Sequence, residues 1–123
     1  MTTPQRILVV EDHEDNRQIL RDLLTNAGYQ IIEAENGEDG VATAAAHRPD
    51  LVLMDIQLPI LDGYEASRRI KADPALRAIP IIAITSYALS GDEEKARSAG
   101  CDAYITKPFS PRALLAKVRE FVP

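Results

Sequence analysis

Five polar residues that could carry phosphate or metal chemistry each follow directly after a short apolar run. Glu11 and Asp12 follow the run near the N-terminus, and Asp55 follows one in the middle of the chain. Thr85 and Lys107 follow the two later runs. If these runs are parallel strands of one sheet, their carboxyl ends lie along one edge. Three carboxylates, a hydroxyl and an ammonium group would then meet at that edge.

The carboxylates of this predicted edge favour a divalent cation. Carboxylates held this close raise one another's pKa or require a cation. Mg²⁺ suits an incomplete set of oxygen ligands, because it keeps several waters and is often completed by a phosphate. The acidic residues 11–15 would repel a phosphate that arrived without a metal. Asp55 is then the natural nucleophile for a phosphoryl group, while Lys107, Thr85 and Mg²⁺ bind its oxygens.

The elements that would position these groups alternate along the chain as short apolar runs and longer amphipathic stretches. The first amphipathic stretch, residues about 15–27, has apolar residues at helical spacing: Ile19, Leu20, Leu23, Leu24 and Ala27. Five strands alternating with five helices predict an α/β fold with a parallel sheet covered on both faces. Right-handed crossovers favour an open doubly wound sheet, in which ligands bind at the carboxyl ends of the strands.

The helix predicted after Ser90 offers little apolar surface. Ser90 and Glu93 match a capping box, yet the segment up to Gly100 has mainly Ala96 and Ala99 for packing. A helix with so few buried apolar groups is held weakly and could move at small cost.

Length, composition and charge limit the classes of protein. The 123 residues, 46% of them apolar, predict one domain over residues 1–123 with a core from about 6 to 122. A formal charge of −5 gives no reason to expect nucleic acid or an anionic membrane as a partner. No apolar stretch is long enough to span a bilayer. The single Cys101 excludes an internal disulfide, fits a cytoplasmic location, and is predicted to be a small buried filler.

Four motifs in order give the chain a family resemblance. They are Val10-Glu11-Asp12, the segment from Asp55 to Gly63, Ile84-Thr85-Ser86, and the segment from Tyr104 to Phe109. With them the chain resembles the receiver domains of bacterial two-component response regulators, most of all single-domain regulators of chemotaxis or cell-cycle type and the receivers of hybrid kinases. The resemblance implies the flavodoxin-like receiver fold with strand order 2-1-3-4-5.

The resemblance also implies a phosphoacceptor and a metal site. Asp55 would take a phosphoryl group from a histidine kinase or a phosphotransfer protein. Asp12, Asp55 and the backbone carbonyl of Gln57 would hold Mg²⁺, with Glu11 acting through water.

A response to phosphorylation is implied for the remaining residues. Lys107 would pair with Asp55 and then with the phosphoryl group, and the Lys107–Pro108 bond would be cis. Thr85 would move toward the phosphate, and Tyr104 would swing inward to fill the space that it leaves.

We therefore expect a signalling switch rather than an enzyme, assisting only its own phosphorylation and dephosphorylation. Phosphorylation would change a protein-binding surface formed by the fourth helix, last strand and last helix. The expected partners are the kinase or phosphotransfer protein and a downstream protein target, with the chain a monomer or weak dimer and without an output domain. Tyr87 is expected to shield the acyl phosphate, whereas His13 and His47 are interpreted as surface residues.

Three other functions compete with this interpretation. A receiver fragment of a longer regulator or of a hybrid kinase would have the same sequence. A small-molecule aspartyl-phosphate phosphatase commonly has a second Asp two residues after the nucleophile, where this chain has Gln57, and no insertion exists that could form a substrate cap. A flavin or nucleotide binder is opposed by the acidic first loop.

Overall fold

The structure is a computed structural model in which residues 4–85 and 92–123 are described. Strands and helices alternate along these ranges as follows: β1 (Arg6–Val10), α1 (Glu14–Asn26), β2 (Gln30–Ala34), α2 (Gly37–His47), β3 (Leu51–Asp55), α3 (Gly63–Ala72), β4 (Ile81–Thr85), α4 (Asp92–Ser98), β5 (Ala103–Thr106) and α5 (Pro111–Phe121). No helix in the described part of the chain is both long and apolar enough to cross a bilayer.

The strands form one parallel sheet in the order β2-β1-β3-β4-β5. This confirms the predicted doubly wound α/β fold. The chain runs from β1 outward to β2 and then crosses back to β3, so the order reverses between β1 and β3. Because ligands bind at such a reversal, beyond the carboxyl ends of the strands, the fold points to the ends of β1 and β3.

The sheet separates two buried clusters, because successive side chains of a strand point to opposite faces. Helices α1 and α5 pack on one face with these buried side chains: Leu20, Leu24, Leu114 and Val118. Helices α2, α3 and α4 pack on the other face with these: Ala44, Ala66, Ile70, Ala96 and Ala99. All five residues of β3 and of β4 are buried, as expected for strands covered on both sides.

Side-chain oxygens cap three of the helices. Asn36 accepts from a backbone N–H of α2, Asp62 does so for α3, and Ser110 for α5, which has Pro111 in its first turn. These caps satisfy N–H groups that lack a partner within the helix. The predicted cap of α4 at Ser90 lies outside the described residues.

The apolar stripe predicted for α1 is wider than the face that the sheet covers. Leu20 and Leu24 are buried, but Ile19 is 60% exposed, and Arg17 is buried in its place. The residues that α1 buries therefore follow the spacing i, i+3, i+7 and begin with a charged residue.

Helix α4 buries little, in line with its sequence. Ala96 and Ala99 are buried, whereas the other side chains described between Glu93 and Ser98 are exposed. Two methyl groups contribute only about 1–2 kcal/mol of transfer free energy, so tertiary packing holds this helix less firmly than the others.

We predict that the Cys101 thiol reacts slowly in the native protein. The residue is buried, its Sγ lies 3.5 Å from Ser67 Oγ, and burial raises the pKa of the thiol. Because the thiolate is the reactive form, labelling with a disulfide reagent should be slow in buffer and fast in urea. Stoichiometric labelling at the same rate in both conditions would contradict the buried position.

Candidate functional site

Two nearly fully buried carboxylates lie side by side at the carboxyl edge of the sheet. Val10 pairs with Met54 in the register of β1 and β3, so Glu11 and Asp55 follow at neighbouring positions. Glu11 is 2% exposed and Asp55 is 5% exposed. Buried charges are costly unless they are paired, so these two acids need a cation.

Lys107 supplies positive charge to both acids. Its Nζ lies 3.1 Å from Glu11 Oε1 and 3.3 Å from Asp55 Oδ2. Partial burial lowers the pKa of the ammonium group, but the carboxylates of Asp55 and Glu11 outweigh that effect and leave the pKa above its ordinary value. Lys107 is therefore cationic at neutral pH.

Backbone contacts aim the Lys107 side chain at this edge. The Lys107 N–H donates to the Thr85 carbonyl at 2.7 Å, which continues the pairing of β4 and β5 by one residue. The Lys107–Pro108 peptide bond is cis. The loop after β5 is thus fixed to the end of β4.

The loop after β3 positions Asp55 through a hydrogen bond to its side chain and close packing against its backbone. The Gln57 N–H donates to Asp55 Oδ1 at 3.0 Å, so the other oxygen, Oδ2, faces Lys107. Gly63 lies against the same backbone, because a Cβ built there would come within 2.2 Å of the Asp55 carbonyl oxygen. Any larger residue at Gly63 would displace Asp55. The role of the Gln57 backbone carbonyl as a metal ligand stays a prediction.

Asp12 has an oxygen that lacks a hydrogen-bond donor. Asp12 Oδ1 is buried and accepts no hydrogen bond within the described ranges, although His13 Nδ1 lies 3.1 Å away and pairs with it when the imidazole is protonated. Glu11, Asp12 and His13 each bring one ligand atom within 4.8 Å of the others. A buried carboxylate oxygen without a donor, beside a second carboxylate, fits a hard divalent cation.

Of the two residues expected to respond to phosphorylation, Tyr104 lies on the other face of the sheet from Asp55. Thr85 is buried at the end of β4, and Tyr104 in β5 packs against the cluster under α2, α3 and α4. Asp55 comes two residues after Leu53 in β3, so it lies on the same face of the sheet as Leu53, which packs with α1 and α5. The movements of Thr85 and Tyr104 stay predictions, and Tyr87 lies outside the described residues.

A largely apolar cavity of about 320 Å³ opens beside the acids. Asp55 and Lys107 line it on the inside, and Ile19 of α1 lines it together with Pro108 and Phe109 of the loop before α5. Ile19 is one of two large apolar residues that the described ranges expose. Contiguous exposed apolar surface is typical of a ligand-binding groove or a contact site for a partner.

The sequence interpretation missed two residues of this region. His13 is exposed, as expected, but its imidazole joins the acidic group. Arg17 was not considered, yet its buried guanidinium donates to the Glu11 carbonyl. The signal for Arg17 was its spacing of three and seven residues before Leu20 and Leu24, which places it on the buried face of α1.

Known proteins resemble this chain over nearly its whole length. The family model of the response regulator receiver domain matches residues 7–119. The polar-differentiation response regulator DivK of Brucella anthropi is 44% identical over 119 residues, which are 97% of this chain and 97% of that protein.

Two solved structures show the same likeness in three dimensions. The receiver domain of a sensor histidine kinase from Pseudomonas aeruginosa, with a magnesium ion coordinated in its active site cleft, is 38% identical, with a TM-score of 0.90 and 98% of each chain covered. A co-crystal structure of the Saccharomyces cerevisiae histidine phosphotransfer protein Ypd1 with the receiver domain of Ssk1 matches at 30% identity and a TM-score of 0.89, covering 98% of this chain and 90% of that one.

The family model covers most of the chain, the relatives share its length, and the site lies where the strand order reverses. The chain therefore belongs to the response regulator receiver domains of two-component signalling.

Proposed function

We propose that this receiver domain is a phosphorylation-controlled switch in which Asp55 accepts a phosphoryl group from a histidine kinase or a phosphotransfer protein. One observation carries the proposal: the Lys107 ammonium lies between the buried carboxylates of Glu11 and Asp55, and the next residue, Asp12, has an Oδ1 that accepts no hydrogen bond from the described part of the chain. This arrangement provides a nucleophile and a fixed cation, and it leaves a place for a second cation.

The chemistry is displacement at phosphorus. A carboxylate oxygen of Asp55 forms a bond to the phosphorus of the donor phosphohistidine, and the bond from phosphorus to the donor nitrogen breaks, which leaves a neutral imidazole after proton exchange with solvent. Lys107 neutralises one phosphoryl oxygen, and the Thr85 hydroxyl donates to another.

Mg²⁺ fits the oxygen ligands at this edge. Asp12, Asp55 and the Gln57 carbonyl would hold it, with Glu11 acting through water. When bound, Mg²⁺ supplies the remaining charge neutralisation at the phosphoryl group. The magnesium coordinated in the Pseudomonas aeruginosa receiver supports this choice of metal.

The output is a change of surface rather than a reaction on a further substrate. A phosphoryl group adds about −1.5 to −2 charge and three acceptor oxygens. Thr85 ends β4 beside β5, and Tyr104 of β5 packs against the cluster under α4. Among their described side chains, α4 and the turn after it bury only Ala96 and Ala99. A local charge change can therefore alter the surface of α4, β5 and α5 at low cost, and a downstream protein would bind there.

The phosphodonor protein is proposed to dock on the apolar rim formed by Ile19, Pro108 and Phe109. This rim opens into the cavity that Asp55 and Lys107 line, so a protein seated on it can bring a phosphohistidine to Asp55. The complex of Ypd1 with the Ssk1 receiver supports a phosphotransfer protein as a partner of this class.

Incubation with acetyl phosphate and Mg²⁺ should add one phosphoryl group to the wild-type chain. The Asp55→Asn variant and a sample with a chelator should gain none, because they lack the nucleophile and the cation. Intact-mass spectrometry measures the gain. Equal labelling of Asp55→Asn and wild type would disprove the proposed function.

The Lys107→Met variant should bind Mg²⁺ several-fold more tightly, because it removes a cation that lies 3.1 Å and 3.3 Å from two carboxylates. Its phosphorylation by acetyl phosphate should slow by about 10²-fold, the usual effect of removing one group that stabilises transition-state charge. Calorimetric Mg²⁺ titration and mass spectrometry give the two values. Weaker Mg²⁺ binding with an unchanged phosphorylation rate would contradict the role of Lys107 as the fixed cation of the site.

The Ile19→Asp variant should lose roughly tenfold in phosphotransfer from the phosphorylated kinase that labels the wild-type chain, because a charge replaces an apolar contact. Labelling by acetyl phosphate should not change, since that donor needs no docking surface. Gln18→Asp adds the same charge at the neighbouring exposed position and serves as the control. Equal phosphotransfer to both variants would exclude docking at this rim.

A further inference from the structure

Among the described residues, Arg17 is the only arginine that is buried, and the chemistry at Asp55 does not use it. It is 6% exposed. Its Nη1 donates to the Glu11 carbonyl oxygen at 2.8 Å, and its Nη2 lies 3.2 Å from Glu35 Oε1. Its other partners are Glu14, which accepts from Nη2, and Glu33, whose Oε1 lies 3.4 Å from Nε.

The contact with the Glu11 carbonyl differs from the ion pairs. Glu14 and Glu35 are 60% and 71% exposed, so water screens their attraction to Arg17. The bond to the Glu11 carbonyl is buried. A buried carbonyl that loses its donor keeps the full cost of its desolvation, so this bond favours the observed orientation of the loop after β1.

The bonded carbonyl belongs to the peptide that joins Glu11 to Asp12. The Asp12 N–H of the same peptide donates to Glu11 Oε2 at 2.9 Å. Arg17 therefore holds one side of this peptide plane, and the Glu11 carboxylate holds the other. The Glu11 N–H donates to the Ala34 carbonyl at 3.0 Å, so the backbone is held on both sides of Glu11. The orientation of the peptide between Glu11 and Asp12 then sets the directions in which the two acidic side chains leave the backbone.

We infer that Arg17 is a positioning residue of the metal site: by binding the Glu11 carbonyl it holds the loop in the orientation that lets Asp12 and Glu11 bind Mg²⁺. This inference rests on the proposed function. A purely electrostatic role predicts the opposite sign, because a cation beside an acidic loop weakens the binding of another cation. Removing Arg17 should therefore weaken Mg²⁺ binding, whereas removing Lys107 should strengthen it.

Arg21 offers a matched control on the same helix. It pairs with the same Glu14 and Glu33, with both of its distances to the Glu33 oxygens at 2.8 Å. No contact joins it to a loop carbonyl in the described ranges. A variant at Arg21 thus removes a similar cation and similar ion pairs, but it leaves the peptide between Glu11 and Asp12 in place.

The test is a Mg²⁺ titration by calorimetry of wild type, Arg17→Met and Arg21→Met. Loss of a group that orients metal ligands typically weakens metal affinity by 10–100-fold, so Arg17→Met should bind roughly tenfold more weakly or worse. Arg21→Met should stay within about twofold, since its ion pairs with Glu14 and Glu33 are at least partly exposed and none of them orients the loop. Amide hydrogen exchange without metal gives a second readout: the Asp12 N–H should exchange faster in Arg17→Met than in Arg21→Met.

If Arg17→Met does not fold, the pair Arg17→Lys and Arg21→Lys replaces it, and the first should bind Mg²⁺ more weakly than the second. Equal or tighter binding in the Arg17 variant, with a wild type that binds Mg²⁺ through Asp12, would overturn this inference alone. A wild type whose Mg²⁺ binding does not need Asp12, as shown with Asp12→Asn, would instead overturn the proposed function.

Discussion

The repulsion between acids buried at one edge of the sheet is the constraint on which the rest of the site depends. Burying the Glu11 and Asp55 carboxylates to 2% and 5% exposure is costly unless a cation lies beside them. Lys107 meets part of that need, with one ammonium between two carboxylates. A further cation is needed at Asp12, whose buried Oδ1 accepts no hydrogen bond from residues 4–85 or 92–123. A metal and a phosphoryl group together complete this balance of charge, so the proposed chemistry follows from it.

In the proposed mechanism, the sheet separates the side that receives the phosphoryl group from the side that responds to it. Asp55 shares its face with α1 and α5, and the cavity beside it opens between α1 and the loop before α5. Tyr104 packs on the other face, under α2, α3 and α4. Because successive side chains of a strand point to opposite faces, the ends of neighbouring strands carry residues that belong to both faces. A donor and a downstream partner can thus use different surfaces.

The two sides also differ in how firmly they are held. The backbone of Glu11 is hydrogen-bonded to the Arg17 side chain and to the Ala34 carbonyl. Gly63 packs closely against the backbone of Asp55. Of the side chains described for helix α4, only Ala96 is buried. Precise geometry is needed where metal and phosphate are bound, whereas low local stability is needed where a surface must change.

The sequence by itself determined the order of the elements, the strand ends that carry the polar residues, and the family. The alternation of apolar and polar residues is a local property, so it was sufficient to predict the strands and the burial of Cys101. Only the tertiary structure decided that Ile19 lies exposed at the rim while Arg17 is buried. That outcome depends on which part of α1 the sheet covers and on the presence of a carbonyl within reach of the guanidinium. Neither can be read from the periodicity of a single helix, because burial and hydrogen bonding at Arg17 involve β1, β2 and α1 together.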